Sequence, residues 1–233
     1  MPPSPLPTPE ERKRLISLQE EIASRIDLED RFSEAAVAGV DQAFISREDG
    51  REMVVSGAVA LDSSFRPLSK SWALLETTFP YIPGLLSFRE GPAAGEAVRR
   101  LLTRPTVLFV DGCGINHPRR AGLASHLGVA LDIPTVGVSK NVLCGTFDPP
   151  RRVGDASPLA YRGERAGYVL LSKKRCRPIV VAPGHRVSVE SALDLARRYH
   201  QDHKLPVPCF LAHQHVNQVK HRILSGELSL ISK

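Results

Sequence analysis

The sequence predicts an α/β fold with a mixed central sheet, in which a three-stranded antiparallel meander is followed by parallel strands and helices flank the sheet. Three features of the 233-residue chain predict this fold. Three strand-like segments joined by short polar connections follow an amphipathic helix. Apolar strands and helices then alternate, which is typical of parallel strands covered on both faces. Hydrophobic residues make up 42% of the chain, enough for one domain with a full core.

The first predicted element is an amphipathic helix over residues 9–27. Residues 8–11 form a capping box, Thr-Pro-Glu-Glu, with proline at the first helical position. Apolar side chains then follow at helical spacing, at Leu15, Leu18, Ile22 and Ile26. We therefore expect a flexible tail at residues 1–8 and a single domain over residues 9–233.

The antiparallel meander is predicted from three segments at residues 35–44, 52–61 and 68–79. The first is an apolar run, the second is rich in valine and alanine, and the third is mixed. Short polar connections at residues 47–50 and 62–64 join them, as in hairpins.

The second half of the chain alternates helices with buried strands. Helices are predicted over residues 91–103 and 121–131, and buried strands over residues 106–110 and 134–138. The remaining predictions are short strands at 168–172 and 179–181, a helix from Ser188 to about His200, and a helix after Gln214. This is the ribonuclease H-like layout, in which the first and fourth strands are parallel neighbours. Their carboxyl ends open at one edge of the sheet, where α/β proteins place their sites.

Positive charge is concentrated in the second half. The net charge is +6, and residues 151–186 contain nine Lys or Arg against Asp155 and Glu164. A solvated face usually mixes charges of both signs, so this segment is more typical of a surface that binds the phosphates of a nucleic acid. A solvated basic face is the alternative interpretation.

Composition excludes several classes of protein. No apolar run approaches the ~18 residues of a membrane span, and the first residues lack the basic start and apolar core of a secretory signal. The four cysteines, Cys113, Cys144, Cys176 and Cys209, form no C-x-x-C pair, which argues against a zinc ribbon or a disulfide framework. We expect a cytoplasmic protein with reduced thiols and no membrane partner.

Two acids stand at the ends of predicted strands. Asp41 closes the first strand, and Asp111 closes the fourth and is followed by glycines. Either aspartate alone is more simply a helix or turn cap, but in the predicted topology both carboxylates project at one edge. Two like charges at such a distance repel each other unless a cation lies between them. Since Mg²⁺ prefers oxygen ligands, the pair predicts a metal site.

Glu90 and His213 are less specific candidates. Glu90 stands at the start of the helix predicted over residues 91–103, where an acid also stabilises the helix dipole. His213 precedes the last predicted helix, and a lone histidine is more often a surface or core residue than a ligand. The local pattern leaves both interpretations open for each residue.

Long ordered strings of the chain resemble the endonuclease V family. Residues 79–92 read FPYIPGLLSFREGP and residues 111–128 read DGCGINHPRRAGLASHLG, and both resemble signatures of that family. IPTVGVSK at residues 133–140, APGH at 182–185 and Ala-His at 212–213 follow in the family's order. The resemblance runs from about Val40 to His213, which is most of the chain.

The resemblance implies roles for particular residues. It implies a metal site of Asp41, Glu90 and Asp111, with His213 as a fourth member that either ligates metal or positions water. Lys140 matches a lysine near the scissile phosphate, and these five residues form the implied catalytic set. Tyr81 matches a wedge tyrosine that enters the helix where a base is extruded. The implied pocket for that base comprises Gly84, Leu85, Gly112, Gly122 and His117.

Three departures from the family's pattern concern substrate preference rather than chemistry. Cys113 stands where a polar residue, usually glutamine, is expected. Asn116 replaces a smaller residue, and Ala182-Pro183 replaces a more polar pair. None of these residues is among the implied metal ligands.

The implied activity is metal-dependent hydrolysis of a phosphodiester bond on the 3′ side of inosine, typically the second bond, in DNA repair. The products carry a 3′-hydroxyl and a 5′-phosphate, and Mg²⁺ is the expected cofactor, with Mn²⁺ as a substitute. The expected partner of the monomer is inosine-containing DNA, and RNA is the alternative substrate. Competing hypotheses are an inosine-specific ribonuclease, another ribonuclease H-like nuclease, such as a junction resolvase or an excision-repair subunit, and a non-catalytic module that binds damaged nucleic acid.

Overall fold

The structure, a computed structural model, describes residues 6–47 and 49–228. Of the predicted tail at residues 1–8, residues 1–5 lie outside the described residues. In chain order the elements are α1 (Pro9–Ser24), β1 (Val37–Ser46), β2 (Glu52–Leu61), β3 (Pro67–Thr77), α2 (Leu86–Arg99), β4 (Val107–Asp111), α3 (Leu123–Leu131), β5 (Thr135–Ser139), β6 (Ala156–Tyr161), β7 (Glu164–Leu170), β8 (Ile179–His185), α4 (Val189–Arg198) and α5 (Val207–Leu224). The strands form one mixed sheet in the order β3-β2-β1-β4-β5-β8-β7-β6, which confirms the predicted α/β class.

The predicted antiparallel meander is formed by β1, β2 and β3. β1 pairs with β2 along its whole length, from Val37 opposite Leu61 to Ser46 opposite Glu52. β2 pairs in turn with β3, also antiparallel. Most of β2 is buried on both faces, which explains why its sequence is a run of small and β-branched residues without polar alternation.

β4 and β5 continue the sheet as parallel strands, so the first and fourth strands are neighbours as predicted. The β1–β4 pairing ends with Val40 opposite Val110. The prediction that Asp41 closes the first strand is wrong, because β1 continues to Ser46 by pairing with β2 on its other side. Asp41 therefore lies in the middle of β1, one residue beyond its last pairing with β4.

Helices cover both faces of the sheet. Ala38 and Val40 of β1 face an apolar layer formed with α2 and α3, and α1 lies outside this layer in contact with α3. Val37 faces the opposite layer, which includes Leu195 of α4 and Cys209 of α5. Successive residues of a strand point to opposite faces, so β1 contributes to both halves of the core.

A second antiparallel unit, β8-β7-β6, completes the sheet beyond β5. β7 and β8 are longer than the strands predicted at 168–172 and 179–181, and β6 is absent from the prediction. β6 is an edge strand with mostly exposed or half-buried residues, so it has no clear apolar pattern. A two-residue turn with positive φ at Arg162 and Gly163 joins β6 to β7, as tight hairpins require.

Two helices begin earlier than predicted, which changes the setting of two candidate residues. α2 begins at Leu86 rather than at residue 91, so Glu90 lies in its second turn and Pro92 lies inside the helix. α5 begins at Val207 rather than after Gln214, so His213 lies within the helix. Pro206 and Pro208 are the start signals of α5, since proline is favoured in a first helical turn.

Helix starts with a local capping signal are predicted correctly. The Thr8 side chain accepts a hydrogen bond from the Glu11 backbone N–H, and the Glu11 side chain accepts one from the Thr8 backbone, which is the predicted capping box of α1. Ser188 caps α4 in the same way by accepting from the Ser191 N–H. Such caps satisfy backbone donors that a first helical turn leaves free.

Two glycines allow α5 to lie directly on the sheet. A Cβ atom at Gly39 would lie 2.0 Å from the carbonyl oxygen of Pro208, and one at Gly57 would lie 2.9 Å from the backbone nitrogen of Val216. A side chain at either position would push α5 away from the sheet. This close approach places His213, midway between these contacts, beside Asp41.

All four cysteines are free thiols, as their spacing predicts. Cys209 is buried in the layer between α5 and the sheet, and the others are half-buried. Over residues 6–47 and 49–228, no helix is long and apolar enough to cross a membrane.

Candidate active site

Asp41 and His213 form a hydrogen-bonded pair between β1 and α5. The Asp41 carboxylate is buried, with its Oδ2 atom 2.7 Å from Nδ1 of His213 and its Oδ1 atom accepting from the Gln42 N–H at 2.7 Å. The Asn217 side-chain amide donates to the His213 carbonyl at 2.8 Å and to Nε2 of the same ring at 3.2 Å. With Nε2 as an acceptor, Nδ1 carries the proton and donates it to Asp41. Asn217, one turn after His213, is absent from the sequence prediction.

Asp111 and Lys140 form a second pair at the ends of β4 and β5. Asp111 is the last residue of β4, and its Oδ2 atom accepts from Nζ of Lys140 at 2.7 Å. Lys140 directly follows β5, which runs parallel to β4. The predicted placement of Asp111 at a strand end is therefore confirmed, and its neighbour is the lysine identified from the family pattern.

Electrostatic coupling brings Glu90 into the same group of acids. Burial and, secondly, the Asp111 and Asp41 carboxylates raise the pKa of Glu90 to about 7, against the opposing charge of Arg89. Burial and the Asp111 charge likewise raise the pKa of Asp41 to about 6, opposed by its hydrogen bonds with His213 and Gln42. Three carboxyl groups from β1, α2 and β4 thus repel one another in a poorly solvated place.

This donor set fits a hard divalent cation in its chemistry. Asp41, Glu90 and Asp111 supply only oxygen atoms, and a cation among them would relieve the repulsion that contributes to the raised pKa values of Asp41 and Glu90. Within the two described ranges, no three His, Cys, Asp or Glu side chains converge at the spacing of a formed metal site. Asp41 and Asp111 instead direct an oxygen each to His213 and Lys140.

Removal of the Glu90 charge is expected to stabilise the protein at neutral pH in a chelator. A folded-state pKa near 7 against 4.5 for the free group means that wild type loses stability as pH rises through this window, whereas Glu90→Gln does not. At about 1.4 kcal/mol per pKa unit, a rise of the pKa from 4.5 to about 7 corresponds to a gain of about 3 kcal/mol for the variant at pH 8 and little near pH 4.5. Denaturant unfolding in EDTA at both pH values measures the difference.

Glu96→Gln is the matched control, because Glu96 lies on the same helix but is ion-paired with Arg100. We expect this control to show no gain at pH 8. Equal stability of Glu90→Gln and wild type at pH 8 would contradict the raised pKa of Glu90.

A cavity of about 330 Å³ opens beside Asp111 and Lys140. It contains two of the three acids and most of the predicted pocket residues. Its lining residues include Tyr81, Gly84, Glu90, Asp111, Gly112, His117, Gly122 and Lys140. Leu85, predicted as a pocket residue, does not line it: Leu85 precedes α2 and its side chain is buried in the protein. Asp41 and His213 also lie outside the lining, and His213 instead borders a groove along α5.

Tyr81 stands at the rim of this cavity on the loop between β3 and α2. Its side chain is 65% exposed, so the ring is not packed into the core. His117 lies deeper, and burial together with the Arg119 charge lowers its pKa to about 4, so its ring is neutral at physiological pH. The cavity therefore combines an exposed tyrosine ring at its mouth with a neutral histidine ring on its inner wall.

The departures from the family pattern lie in and behind this wall. Cys113 lines the cavity, and burial raises the pKa of its thiol to about 11, so the thiol stays neutral. Asn116 is buried and accepts from the Gly114 N–H at 2.8 Å, and the Pro183 carbonyl accepts from the Ile115 N–H at 2.9 Å. These residues shape the loop after β4.

The sheet order, the acids beside the end of β4 and the adjoining lysine define the class of ribonuclease H-like nucleases. Residues 20–214 match the sequence model of Endonuclease V. The chain belongs to the endonuclease V family, as its motifs predict.

Relatives support this assignment over nearly the full chain. Endonuclease V of Azotobacter vinelandii is 46% identical over 198 residues, covering 84% of this chain and 88% of the relative. The crystal structure of Endonuclease V from Streptomyces avermitilis superposes with a TM-score of 0.83 at 32% identity, over 95% of this chain and 96% of that one. The Ciona intestinalis enzyme, solved in complex with a 24mer DNA containing an inosine followed by a ribo-adenosine, shares the fold with a TM-score of 0.79 at 24% identity, over 92% and 99% of the two chains.

Proposed function

We propose that this protein is a divalent-metal-dependent endonuclease that recognises inosine and hydrolyses a phosphodiester bond on its 3′ side. The proposed bond is the second one, and the products carry a 3′-hydroxyl and a 5′-phosphate, as a step of DNA repair. One observation carries the proposal: a single cavity is lined both by the Tyr81 loop and by Glu90, Asp111 and Lys140. A base held by the loop would therefore place its own strand beside the acids.

Base recognition would require the nucleotide to leave the helix. A cavity of about 330 Å³ is at the small end of the range for ligand pockets, which suits one extruded base. Inosine differs from adenosine at one exocyclic group, and the cavity that would receive the base is lined in part by glycine backbone, at Gly84, Gly112 and Gly122. Tyr81, at the rim, would occupy the space that the base leaves.

Hydrolysis would use the residues at the strand ends. Asp41, Glu90 and Asp111 would hold the cation, for which we propose Mg²⁺ with Mn²⁺ as a substitute; when bound, it would activate water and stabilise the leaving oxygen. Lys140, beside Asp111, would neutralise charge that develops on the phosphate. His213, held by Asp41 and Asn217, would orient the attacking water.

The test is cleavage of end-labelled oligonucleotides that contain one inosine. We expect nicking of the inosine strand in Mg²⁺, no nicking of the adenosine control, and no nicking in EDTA. Sizing of the fragments locates the bond. DNA and RNA versions of one sequence decide between the proposed DNA enzyme and an inosine-specific ribonuclease. Metal-independent cleavage, or equal cleavage of the adenosine strand, would contradict the proposal.

We also propose that the protein is a monomer with a single domain over residues 9–233. Sedimentation of the intact chain tests the monomeric state.

Loss of the Tyr81 ring is expected to weaken productive binding of duplex inosine substrate about ten- to a hundredfold. Extrusion of a base costs a few kcal/mol of lost stacking and pairing. Stacking of the neighbouring bases on the Tyr81 ring would offset about 1–3 kcal/mol of this cost. Tyr81→Ala should therefore raise KM on duplex more than on single-stranded substrate, while Tyr81→Phe, which keeps the ring, should resemble wild type. Equal losses on both substrates would assign Tyr81 to pocket shape instead of wedging.

The basic segment at residues 173–177 is expected to contact phosphates without reading sequence. Val180 lies opposite Ser139, so the β7–β8 connection lies at the same sheet edge as Lys140. Lys174 and Arg177 are exposed there. Lys174→Ala/Arg177→Ala should weaken binding to any duplex and reduce the log–log salt slope by about 0.9 per lost contact.

The matched control for this prediction removes two charges from the opposite edge of the sheet, with Arg66→Ala/Lys70→Ala. That variant should retain the wild-type salt slope, as measured by fluorescence anisotropy on a labelled duplex. An unchanged slope in Lys174→Ala/Arg177→Ala would identify the basic segment as a solvated face.

A further inference from the structure

Gln19 is a buried polar residue on a helix whose surface is otherwise largely charged or half-exposed. It is the buried side chain of α1, with none of its surface exposed. Burial of an apolar side chain at this position would cost less free energy, because a buried primary amide is unfavourable unless its hydrogen bonds are made. The contacts of this amide therefore indicate what α1 does for the rest of the protein.

The Gln19 amide is fully engaged with the loops around the cavity. Its Nε2 atom donates to the Gly84 carbonyl at 2.9 Å and to the Ala121 carbonyl at 3.4 Å, and its Oε1 atom accepts from Nε of Arg119 at 2.6 Å. Nη2 of Arg119 donates to the same Gly84 carbonyl at 2.7 Å. His117 contacts it as well, with Nε2 at 3.1 Å.

Three donors thus converge on one carbonyl oxygen, an arrangement that we name the Gly84 clamp (Gln19, His117 and Arg119 on the Gly84 oxygen). The orientation of His117 agrees, since its Nδ1 atom accepts from the Arg119 N–H at 3.2 Å and leaves the proton on Nε2. A carbonyl oxygen has two lone pairs, so the Gly84 oxygen is saturated. It points towards α1 and is not free to bind a base.

The clamp fixes one end of the loop that carries Tyr81. Gly84 has a φ of +79°, a conformation that glycine adopts without strain, and it lines the cavity. At the other end of the loop, Nη1 of Arg89 donates to the Phe79 carbonyl at 2.9 Å, and Arg89 is itself paired with Glu52 at 2.6 Å. Tyr81 therefore stands on a short loop that is held at both ends.

We propose that Gln19 is a positioning residue, which holds Gly84 so that the Tyr81 loop keeps the shape that receives an extruded base. This inference rests on the proposed function, in which the cavity takes that base. Gln19 is not among the residues that line the cavity, so its loss would remove no contact with substrate. It would instead reduce the fraction of molecules in which the Tyr81 loop has the shape that receives a base. Apparent affinity falls by the same fraction, while chemistry at saturation is retained.

The test compares Gln19→Met, which keeps the length of the side chain without its hydrogen bonds, with Gln19→Glu, which keeps the acceptor for Arg119 but loses the donor to Gly84. On inosine duplex in Mg²⁺, we expect KM to rise about tenfold for Gln19→Met with kcat within about threefold of wild type. Gln19→Glu, which would place a carboxylate oxygen against the Gly84 and Ala121 carbonyls, should raise KM at least as much as Gln19→Met. Backbone hydrogen exchange at residues 79–85 should accelerate in Gln19→Met without any substrate.

Ile22→Ala is the control for a purely structural effect, since it removes a half-buried apolar side chain of α1 and leaves the amide in place. It should lower Tm without raising KM. A KM for Gln19→Met within twofold of wild type, or an equal rise in Ile22→Ala, would overturn the proposal. If wild type fails to cleave inosine strands, the proposed function is wrong, and the exchange measurement still decides whether the clamp holds the loop.

Discussion

Asp111→Asn is expected to reduce cleavage of an inosine strand by about a thousandfold or more while the protein stays folded. Asp111 lies at the end of β4, lines the cavity and raises the pKa values of both Asp41 and Glu90. It interacts with both of the other acids and with Lys140, so its charge would be central to holding the proposed cation. Loss of several kcal/mol of metal-dependent stabilisation corresponds to this factor. Single-turnover cleavage at saturating Mg²⁺ measures it.

Asp111→Asn is expected to change the stability of the protein in a different direction from its activity. Because the substitution removes a repelling charge, Tm in EDTA should equal or exceed that of wild type, and added Mg²⁺ should stabilise wild type more than the variant. Asp155→Asn, an acid of a loop at the same sheet edge, should cleave normally. Near wild-type cleavage by Asp111→Asn would show that the cation site has been assigned to the wrong residues.

Lys140→Met is expected to lower the rate of the chemical step by about a hundred- to a thousandfold. A fixed cation aimed at developing phosphate charge contributes on this scale. Nζ of Lys140 is 2.7 Å from Asp111 and the side chain lines the cavity, so the charge is held where the phosphate would lie. Quench-flow cleavage of prebound substrate measures the step directly.

Two comparisons distinguish charge at this position from charge in general. Lys140→Arg keeps the charge and should retain more activity than Lys140→Met. Lys70→Met, on the edge strand β3, should cleave at the wild-type rate. A normal chemical step in Lys140→Met with weakened binding would instead assign Lys140 to general phosphate binding.

Local signals explain which parts of the fold could be predicted from the sequence. Thr8 and Ser188 are followed by the residues that complete their caps, so the starts of α1 and α4 are encoded within four residues. The segment at 52–61 is predicted to the residue because a strand buried on both faces consists mainly of small and apolar residues without polar alternation. Asp111 breaks such a run at its end, which makes its placement visible from the sequence.

Residues whose role depends on distant partners could not be predicted. The sequence predicts a strand end at Asp41 because an acid interrupts an apolar run there, yet β1 continues by pairing with β2. Gln19 contacts Gly84 and Ala121, which lie 65 and 102 residues away, and no local pattern distinguishes it from its polar neighbours. Asn217 is likewise one of several amides on α5, and only its contact with His213 identifies it. The family resemblance supplied Glu90, Lys140 and His213, which the residues alone left undecided.

The close contact of α5 with the sheet restricts which mutations the enzyme tolerates. His213 reaches Asp41 because Gly39 and Gly57 present only hydrogen atoms to the helix. A single methyl group at either position would act as a spacer and tilt the histidine away from its partner. Loss-of-function alleles should therefore accumulate at two small residues that meet no substrate atom. In a screen for inactive variants these glycines would be grouped with the catalytic residues, although they act only by allowing the helix to pack closely against the sheet.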